Sequence, residues 1–524
     1  MSTSYLVKSS GIVSLAVMAS RILGLIREQV FAALFGAGLA YDAFTVAFRI
    51  PNLLRDLFAE GALSSAFVTT FTQWQVEKGE EAAWRLANLV LNTLTLLLGG
   101  IAFLGILFSD QIVSWMAPRF EDIPGKVALT VKLTQIMFPF LPLISLAAVA
   151  MGILNTKDRF GIPASASTFF NVGSILVGVS CVYLMPYLGQ EPIVGMALGT
   201  LAGGLLQFFI QIPSLYRVGF RYQPIISFSD PGIRQIMKLI GPAIIGQAAV
   251  QINVFINTYF ASTQQSWVSW LNYAFRLMQF PIGVFGVAIA TATLPAISRS
   301  AARQDMDEFR QTLASSLGLV FLLTIPASFG LIVLGSPIIC LIYEHGRFTS
   351  FDTQETAGAL AFYAIGLSAY AGIKVLVPAF YALKDTQIPM RVSLISIVNN
   401  ILLNWLLIQP LGHRGLALST SLMAIFNFTF LISILRYKLK GIHGRILLRS
   451  FSKIIAASSV MATACWITRQ SLAGYLHSWG LLGNLIWVSL SILVSVGLFY
   501  AACRVLQVEE LEQVMTVVKA KIKR

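Results

Sequence analysis

Arginines recur in or beside apolar segments of the chain, and they are the residues best suited to chemistry. Five of them form the candidate set: Arg21, Arg27, Arg49, Arg55 and Arg276. A guanidinium group is planar and always charged, and it binds phosphate oxygens through paired hydrogen bonds. A charge at the centre of a bilayer costs at least about 2.5–3.5 kcal/mol, so these side chains should line a watery cavity. They predict a pyrophosphate-binding cavity; ion pairing or placement at the membrane interface is the alternative for each arginine.

Acidic residues accompany these arginines. Seven residues separate Arg21 from Glu28, and seven separate Arg49 from Asp56, so each pair shares a helix face. The acids therefore predict either ion pairs with the arginines or polar positions in the cavity. Asp42 and Glu60 are predicted to be polar residues of the cavity or of its gate.

A polar signature occurs twice, which indicates an internal repeat. The tripeptide ending in Arg49, Ala-Phe-Arg, recurs 227 residues later and ends in Arg276. The pair Lys157-Asp158 recurs at the same offset as Lys384-Asp385. Two matches at one offset predict a repeat of about 200 residues or more. In a membrane chain, two related halves around a central cavity are typical of a transporter.

Composition places these residues in a membrane protein. Of 524 residues, 56% are hydrophobic and 11% are charged, and the mean hydropathy is +0.76; soluble domains carry about 25% charged residues. Spanning segments must satisfy their own backbone hydrogen bonds and are therefore helices. We predict an all-α polytopic membrane protein with about fourteen transmembrane helices. Two pseudo-symmetric six-helix lobes and two extra helices make up this number.

The apolar runs and basic loops divide the chain and orient it. We predict a first lobe (1–216), a cytoplasmic connector (217–238), a second lobe (239–435), two extra spans (436–503) and a cytoplasmic tail (504–524). The tail can form an amphipathic helix that is solvated or lies at the interface. Lysine and arginine concentrate in alternate loops, which predicts that both termini are cytoplasmic. These loops explain the net charge of +14, so no nucleic-acid partner is expected.

Several motifs of enzymes are missing from the sequence. It contains no G-x-x-x-x-G-K-[ST] phosphate loop, no G-x-S-x-G and no H-E-x-x-H. None of the four histidines has a neighbour at metal-ligand spacing. The sequence therefore predicts neither a metal, nor a cofactor, nor a catalytic residue, and it favours a transporter over an enzyme.

Two longer motifs carry a family resemblance. Residues 19–27 (ASRILGLIR) and 42–62 (DAFTVAFRIPNLLRDLFAEGA) resemble the MurJ (MviN) lipid II flippases, as do Arg276-Leu277-Met278 and the segment 346–352. The resemblance covers essentially the whole chain. It implies the fold of the MOP exporter superfamily, as in MATE transporters: two six-helix lobes in a V and two added helices that form a hydrophobic groove.

The resemblance also implies a function and a set of cavity residues. It implies alternating access that moves lipid II, an undecaprenyl-pyrophosphate-linked peptidoglycan precursor, to the outer leaflet of the bacterial cytoplasmic membrane. Residues that match charged cavity positions of the family are Arg21, Arg27, Asp42, Arg49, Arg55 and Arg276. Phe275 and Gln279 stand where known members have acids, so those acids' gate or coupling roles do not carry over; Gln279 remains a polar cavity candidate.

The sequence leaves rival functions open. The chain is predicted to be a lipid II flippase whose partners are lipid II and membrane lipids, with other wall-assembly proteins as candidate partners. One alternative is an exporter of another polyprenyl-linked saccharide or of a drug, although a drug exporter should favour acidic cavity residues. The other is a membrane glycosyltransferase or a scaffold in wall assembly that does not transport.

Overall fold

Helices make up nearly all of the ordered structure in the computed structural model, which describes residues 3–58, 62–476 and 480–522. No strand occurs within these residues. The chain divides into two compact units, Met1–Ser269 and Trp270–Arg524. The all-helical prediction is therefore confirmed, whereas the predicted lobe boundaries remain a prediction.

The first unit contains eleven α-helices among the described residues, joined mostly by short turns. They are α1 (Thr3–Phe35), α2 (Leu39–Phe58), α3 (Ala62–Glu77), α4 (Glu80–Leu107), α5 (Ser109–Met116), α6 (Lys126–Met137), α7 (Phe140–Thr156), α8 (Gly161–Leu184), α9 (Ile193–Phe209), α10 (Ile212–Arg217) and α11 (Pro231–Ala261). Its core includes Phe67, Phe71 and Leu98, none of which is exposed.

The helices of the second unit follow, beginning three residues before its boundary. They are α12 (Trp267–Pro281), α13 (Val287–Ala302), α14 (Met306–Tyr343), α15 (Ser350–Ile365), α16 (Leu367–Ala382), α17 (Gln387–Leu411), α18 (His413–Lys438), α19 (Gly444–Leu476), α20 (Gly480–Val505) and α21 (Glu509–Ile522). A π-helical turn, Ile282–Gly286, joins α12 to α13. The core includes Phe309, Leu317 and Phe380.

Membrane-spanning length and apolar composition coincide in ten helical segments of the described residues. The number rises to eleven if α15 and α16, which meet at a 44° bend, form one broken span. The 20-residue helix α2 is not among them, because its four charged residues, Asp42, Arg49, Arg55 and Asp56, lower its hydropathy. The chain is thus a multi-span helical membrane protein, and the count of fourteen remains a prediction.

The helix order shows the predicted repeat. Helices α4 and α5 together span 80–116, and the single helix α14 spans 306–343, so both ends are displaced by 226 or 227 residues. At the repeated Lys-Asp pairs the backbone slips by one residue. In the first copy the residue with a φ of 58° is the aspartate, Asp158. In the second copy it is the lysine, Lys384. The second copy is therefore one residue shorter just before this turn.

The segment between α10 and α11 is shorter than the predicted connector. Asp230 caps α11 by accepting from the Gly232 N–H at 2.9 Å, and Pro231 occupies the first helical position. Helix α11 therefore begins inside the predicted 217–238 connector. Two asparagines of α4 hold the preceding segment: Asn88 donates to the Arg221 carbonyl and Asn92 donates to the Gln223 carbonyl.

The C-terminal helix α21 is present as predicted, but it packs against the second unit. Val508 and Leu511 are buried in the core of this unit. Glu510 is 7% exposed, and its carboxylate accepts a hydrogen bond from the Ser450 hydroxyl of α19. A carboxylate this deep needs a donor, so Ser450 allows α21 to dock instead of remaining a solvated tail.

Candidate functional site

Four of the five predicted arginines lie in the first unit. Arg21 and Arg27 are on α1, and Arg49 and Arg55 are on α2, two helices that contact each other. Arg276 is an exposed residue of α12 in the second unit. The structure thus collects the first four on neighbouring helices, and the sharing of one site with Arg276 remains a prediction.

Arg27 of α1 contacts an acidic side chain and an aromatic ring. Its Nη2 is 3.4 Å from Glu28 Oε1, and its guanidinium carbon is 5.3 Å from the ring centroid of Phe170. Glu28 is also the acceptor for the Tyr41 hydroxyl of α2, at 2.7 Å. Glu28 therefore pairs with its neighbour Arg27 rather than with Arg21, and it fastens α1 to α2. Arg21 itself is exposed.

Arg49 is oriented by a helix distant in sequence. Its Nη1 donates to Thr258 Oγ1 of α11 at 2.6 Å. The Thr258 hydroxyl in turn donates to the Val254 carbonyl at 2.7 Å, so its oxygen is left to accept from Arg49. The planar guanidinium is therefore held in a defined orientation, as a bidentate phosphate contact requires.

Arg55 and Asp56 form an ion pair nearly two turns further along α2. Arg55 Nη2 lies 2.8 Å from Asp56 Oδ1, and both side chains are about one quarter exposed. Gln251 of α11 donates to Asp56 Oδ2 at 3.5 Å. Gln251 and Thr258 are seven residues apart, so α11 turns one polar face towards α2.

Asp42 is placed in the packed interior of the first unit. Its carboxylate is 0% exposed and lies 2.8 Å from Lys126 Nζ, which is also 0% exposed. It further accepts from the backbone N–H groups of Ser266 and Ser269, at 2.8 and 2.9 Å, and from the Ser269 hydroxyl. Lys126 Nζ lies 3.9 Å from the Phe120 ring centroid. The arrangement is a buried ion pair in which both carboxylate oxygens are hydrogen-bonded.

The remaining predicted polar residues have different positions. Gln279 is exposed on α12, and Phe275, on the same helix, packs against Tyr363 with ring centroids 5.3 Å apart. An aromatic contact therefore occupies the position where the family resemblance would place an acid. Glu60 lies outside the described residues.

Sequence reasoning missed Lys126 and Thr258. One lysine directly after Pro124-Gly125 gives no sign of burial in the sequence. Thr258 had a detectable signal: Gln247 and Gln251 lie on the same face of α11 as Thr258, within a helix of spanning length. Such a polar stripe indicates a face turned towards other polar groups.

Metal binding finds no support in the described residues. Nowhere in residues 3–58, 62–476 and 480–522 do three or more His, Cys, Asp or Glu side chains form a group that could hold a metal ion. The charged groups of the first unit can instead bind an anion or stabilise one another.

Comparison with known proteins decides the family. The family model described as "Lipid II flippase MurJ" matches residues 31–486 of this chain. The chain belongs to the MurJ family. A probable lipid II flippase MurJ of Vibrio cholerae is 37% identical over 486 residues, which are 91% of each chain. The lipid II flippase MurJ of Burkholderia cenocepacia is 35% identical over 450 residues, 84% of this chain and 86% of the relative.

Solved structures agree with this assignment. A MurJ lipid II flippase in an inward closed conformation has a TM-score of 0.76 and 29% sequence identity, covering 93% of this chain and 98% of that chain. An inward-facing MATE multidrug transporter of the MOP superfamily has a TM-score of 0.69 at 15% identity, over 80% of this chain and 94% of that one. The second likeness concerns the fold alone.

Proposed function

We propose that this chain is a lipid II flippase of the bacterial cytoplasmic membrane. It moves the undecaprenyl-pyrophosphate-linked peptidoglycan precursor from the inner to the outer leaflet, and both of its termini are cytoplasmic. Membership of the MurJ family supports lipid II as the substrate, and the names of two relatives agree with this. The protein carries its substrate across the membrane without changing it covalently.

The observation that carries the proposal is the set of arginines on α1 and α2, and in particular the bond from Arg49 to Thr258. A pyrophosphate carries several negative charges. Removing it from water requires positively charged hydrogen-bond donors that are held in place. Arg27, backed by Glu28, and Arg49, held by Thr258, have the required chemistry. We infer that these arginines line the cavity and bind the pyrophosphate, together with Arg21, Arg55 and Arg276.

The internal repeat supports an alternating-access cycle. Two halves with the same helix order can exchange roles around a site near the middle of the membrane. In this cycle the polar headgroup occupies the cavity while the polyprenyl tail stays in lipid. The membrane potential can drive the step, because one charge crossing the full field gains about 2.3 kcal/mol per 100 mV.

The experiment is complementation of a strain depleted of its own flippase. Lipid II in the outer leaflet is measured as the pool cleaved by an added lipid II-degrading toxin. We expect the wild-type chain to restore the pool, and we expect Arg27→Ala and Arg276→Ala to be expressed in the membrane without restoring it. Arg119→Ala is the matched control, because Arg119 is 64% exposed and outside the candidate site.

Each other outcome points to a rival function. Full restoration by both Arg27→Ala and Arg276→Ala would refute the basic cavity. An unchanged toxin-sensitive pool on depletion would favour another polyprenyl-linked saccharide or a drug as cargo, or a scaffold. Covalent conversion of lipid II by the purified protein would instead identify a transferase.

A further inference from the structure

A groove of about 400 Å³ lies in the first unit, and none of the arginines of α1 and α2 is among its lining residues. Helix α4 contributes Thr93 and Leu97, the segment before α11 contributes Phe228, and α11 contributes Ile233 and Met237. Its volume falls in the range of about 300–1,000 Å³ that is usual for small-molecule sites. The apolar lining suits a hydrocarbon chain.

Two cations border this apolar lining. Arg234 and Lys238 are four residues apart on α11, so they share one face of the helix, and both are exposed. No carboxylate lines the groove, and within the described residues neither cation lies in an ion pair. The groove therefore combines apolar walls with an uncompensated positive charge of two.

A buried hydroxyl faces the same space. Thr93 lines the groove and is 6% exposed, yet its Oγ1 has no hydrogen-bond partner among the described residues. Nearby Thr95, in contrast, donates to the Leu91 carbonyl of its own helix at 2.8 Å. A buried hydroxyl without a partner destabilises the protein, and a hydrogen bond to an oxygen-bearing ligand would remove this penalty.

The wall of the groove is held in place before any ligand binds. Asn92 of α4 donates to the carbonyls of Gln223 and Ile225, at 2.7 and 2.8 Å, and accepts from the Tyr222 hydroxyl at 2.9 Å. These bonds hold the segment that carries Phe228 against α4. The groove is therefore preformed, which reduces the entropy lost when a ligand binds.

We propose that this groove binds an anionic glycerophospholipid of the surrounding membrane. Arg234 and Lys238 bind the headgroup phosphate, Thr93 donates to an oxygen of the lipid, and one acyl chain packs against Leu97, Phe228 and Met237. In the orientation proposed above the groove opens towards the cytoplasmic leaflet, where basic pockets between helices recognise anionic headgroups. The site is separate from the candidate pyrophosphate cavity.

The test is lipid retention by the purified full-length protein, measured by native mass spectrometry with added phosphatidylglycerol or phosphatidylcholine of identical acyl chains. We expect wild type to retain phosphatidylglycerol preferentially. Arg234→Gln with Lys238→Gln should weaken this retention about fivefold for each cation removed. Thr93→Val, which keeps the shape of the side chain, should weaken it about fivefold.

The matched control is Arg299→Gln with Arg303→Gln, which removes two exposed cations with the same spacing from the second unit. It should retain phosphatidylglycerol as wild type does. Equal retention of both lipids by wild type, or unchanged retention in the Arg234 and Lys238 double variant or in Thr93→Val, would overturn the proposal. Displacement of phosphatidylglycerol by an equimolar amount of undecaprenyl phosphate would overturn it too, because the groove would then serve a polyprenyl lipid. These outcomes do not depend on transport, so they are distinguishable from a failure of the flippase proposal.

Discussion

Asp42 and Lys126 form an ion pair of 2.8 Å between two side chains that are both 0% exposed. The pair joins α2 to α6, and the serines at 266 and 269 complete the hydrogen bonding of the carboxylate. Removing one partner of such a pair leaves a buried charge and costs about 3–5 kcal/mol, whereas replacing both partners with neutral residues costs much less.

We therefore expect Lys126→Met to lower the thermal unfolding temperature of the detergent-purified protein substantially. Adding Asp42→Asn to Lys126→Met should recover part of the loss, because the remaining charge is removed. Lys132→Met, on the exposed side of the same helix, is the control and should leave the unfolding temperature unchanged. If Lys126→Met behaved like Lys132→Met, the buried pair would not contribute to stability.

The bond between Arg49 and Thr258 predicts a positioning role for the hydroxyl. Thr258→Val removes the acceptor but keeps the volume of the side chain, so the guanidinium loses its defined orientation. We expect flipping in the complementation assay to fall about tenfold or less, and to be abolished by Arg49→Ala. Thr258→Ser should restore activity, since it keeps the oxygen. An inactive Thr258→Ser together with an active Thr258→Val would contradict this role.

Arg469 compensates for a proline in the second unit. Pro337 of α14 has no N–H, which leaves the carbonyl of Val333, four residues earlier, without its helical donor. Arg469 Nη1 of α19 donates to this carbonyl at 2.9 Å. We expect Arg469→Leu to reduce the unfolding free energy by about 1.5–3 kcal/mol. In the background of Pro337→Ala the same change should cost less, because the helix then supplies its own donor; equal costs in both backgrounds would exclude this coupling.

The docking of α21 depends on the absence of a side chain at Gly318. A Cβ added there would lie 2.5 Å from Oε1 of the buried Glu510. We expect Gly318→Ala to displace α21 and to speed proteolytic removal of the C-terminal segment. Gly330→Ala on the same helix is the control, because a Cβ at Gly330 meets nothing within 4 Å. Equal cleavage rates for the two variants would mean that α21 does not rest on this contact.

We expect the carboxylate of Asp385 to contribute slightly to folding stability, and to lose this contribution at acidic pH. A hydrogen bond from Lys438 is the main cause that lowers the pKa of Asp385 below its ordinary value of 3.8; burial opposes it, and the Ile388 N–H adds a smaller lowering effect. The folded form thus prefers the carboxylate, so the contribution is complete above pH 3.8 and is lost as the pH falls through the lowered pKa. Asp385→Asn should lower the unfolding temperature slightly at pH 7, by the equivalent of about 1 kcal/mol or less. The difference from wild type should vanish at the lowest pH, and a difference independent of pH would refute the assignment.

Helix positions followed from local patterns of the sequence, with errors at polar ends. The apolar run 86–108 indicates a span, and α4 covers Glu80–Leu107. The apolar run does not include the start of α4, because Glu80 and Glu81 are charged. Acidic residues nevertheless favour the N-terminus of a helix. Asp230-Pro231 likewise falls within the predicted connector 217–238, although Asp230 is the N-cap and Pro231 the first residue of α11.

The class of protein, the repeat and the family follow from the amino-acid order, because hydropathy, charge and motifs are read from the residues along the chain. The pairing of the charges depends on how the helices pack. Asp42 meets Lys126 across 84 residues, and Arg49 meets Thr258 across 209. Seven-residue spacing had pointed to Arg49 with Asp56, but Asp56 pairs with its neighbour Arg55. Helical periodicity fixes the face on which a side chain lies, whereas the packing of distant helices determines which group it meets there.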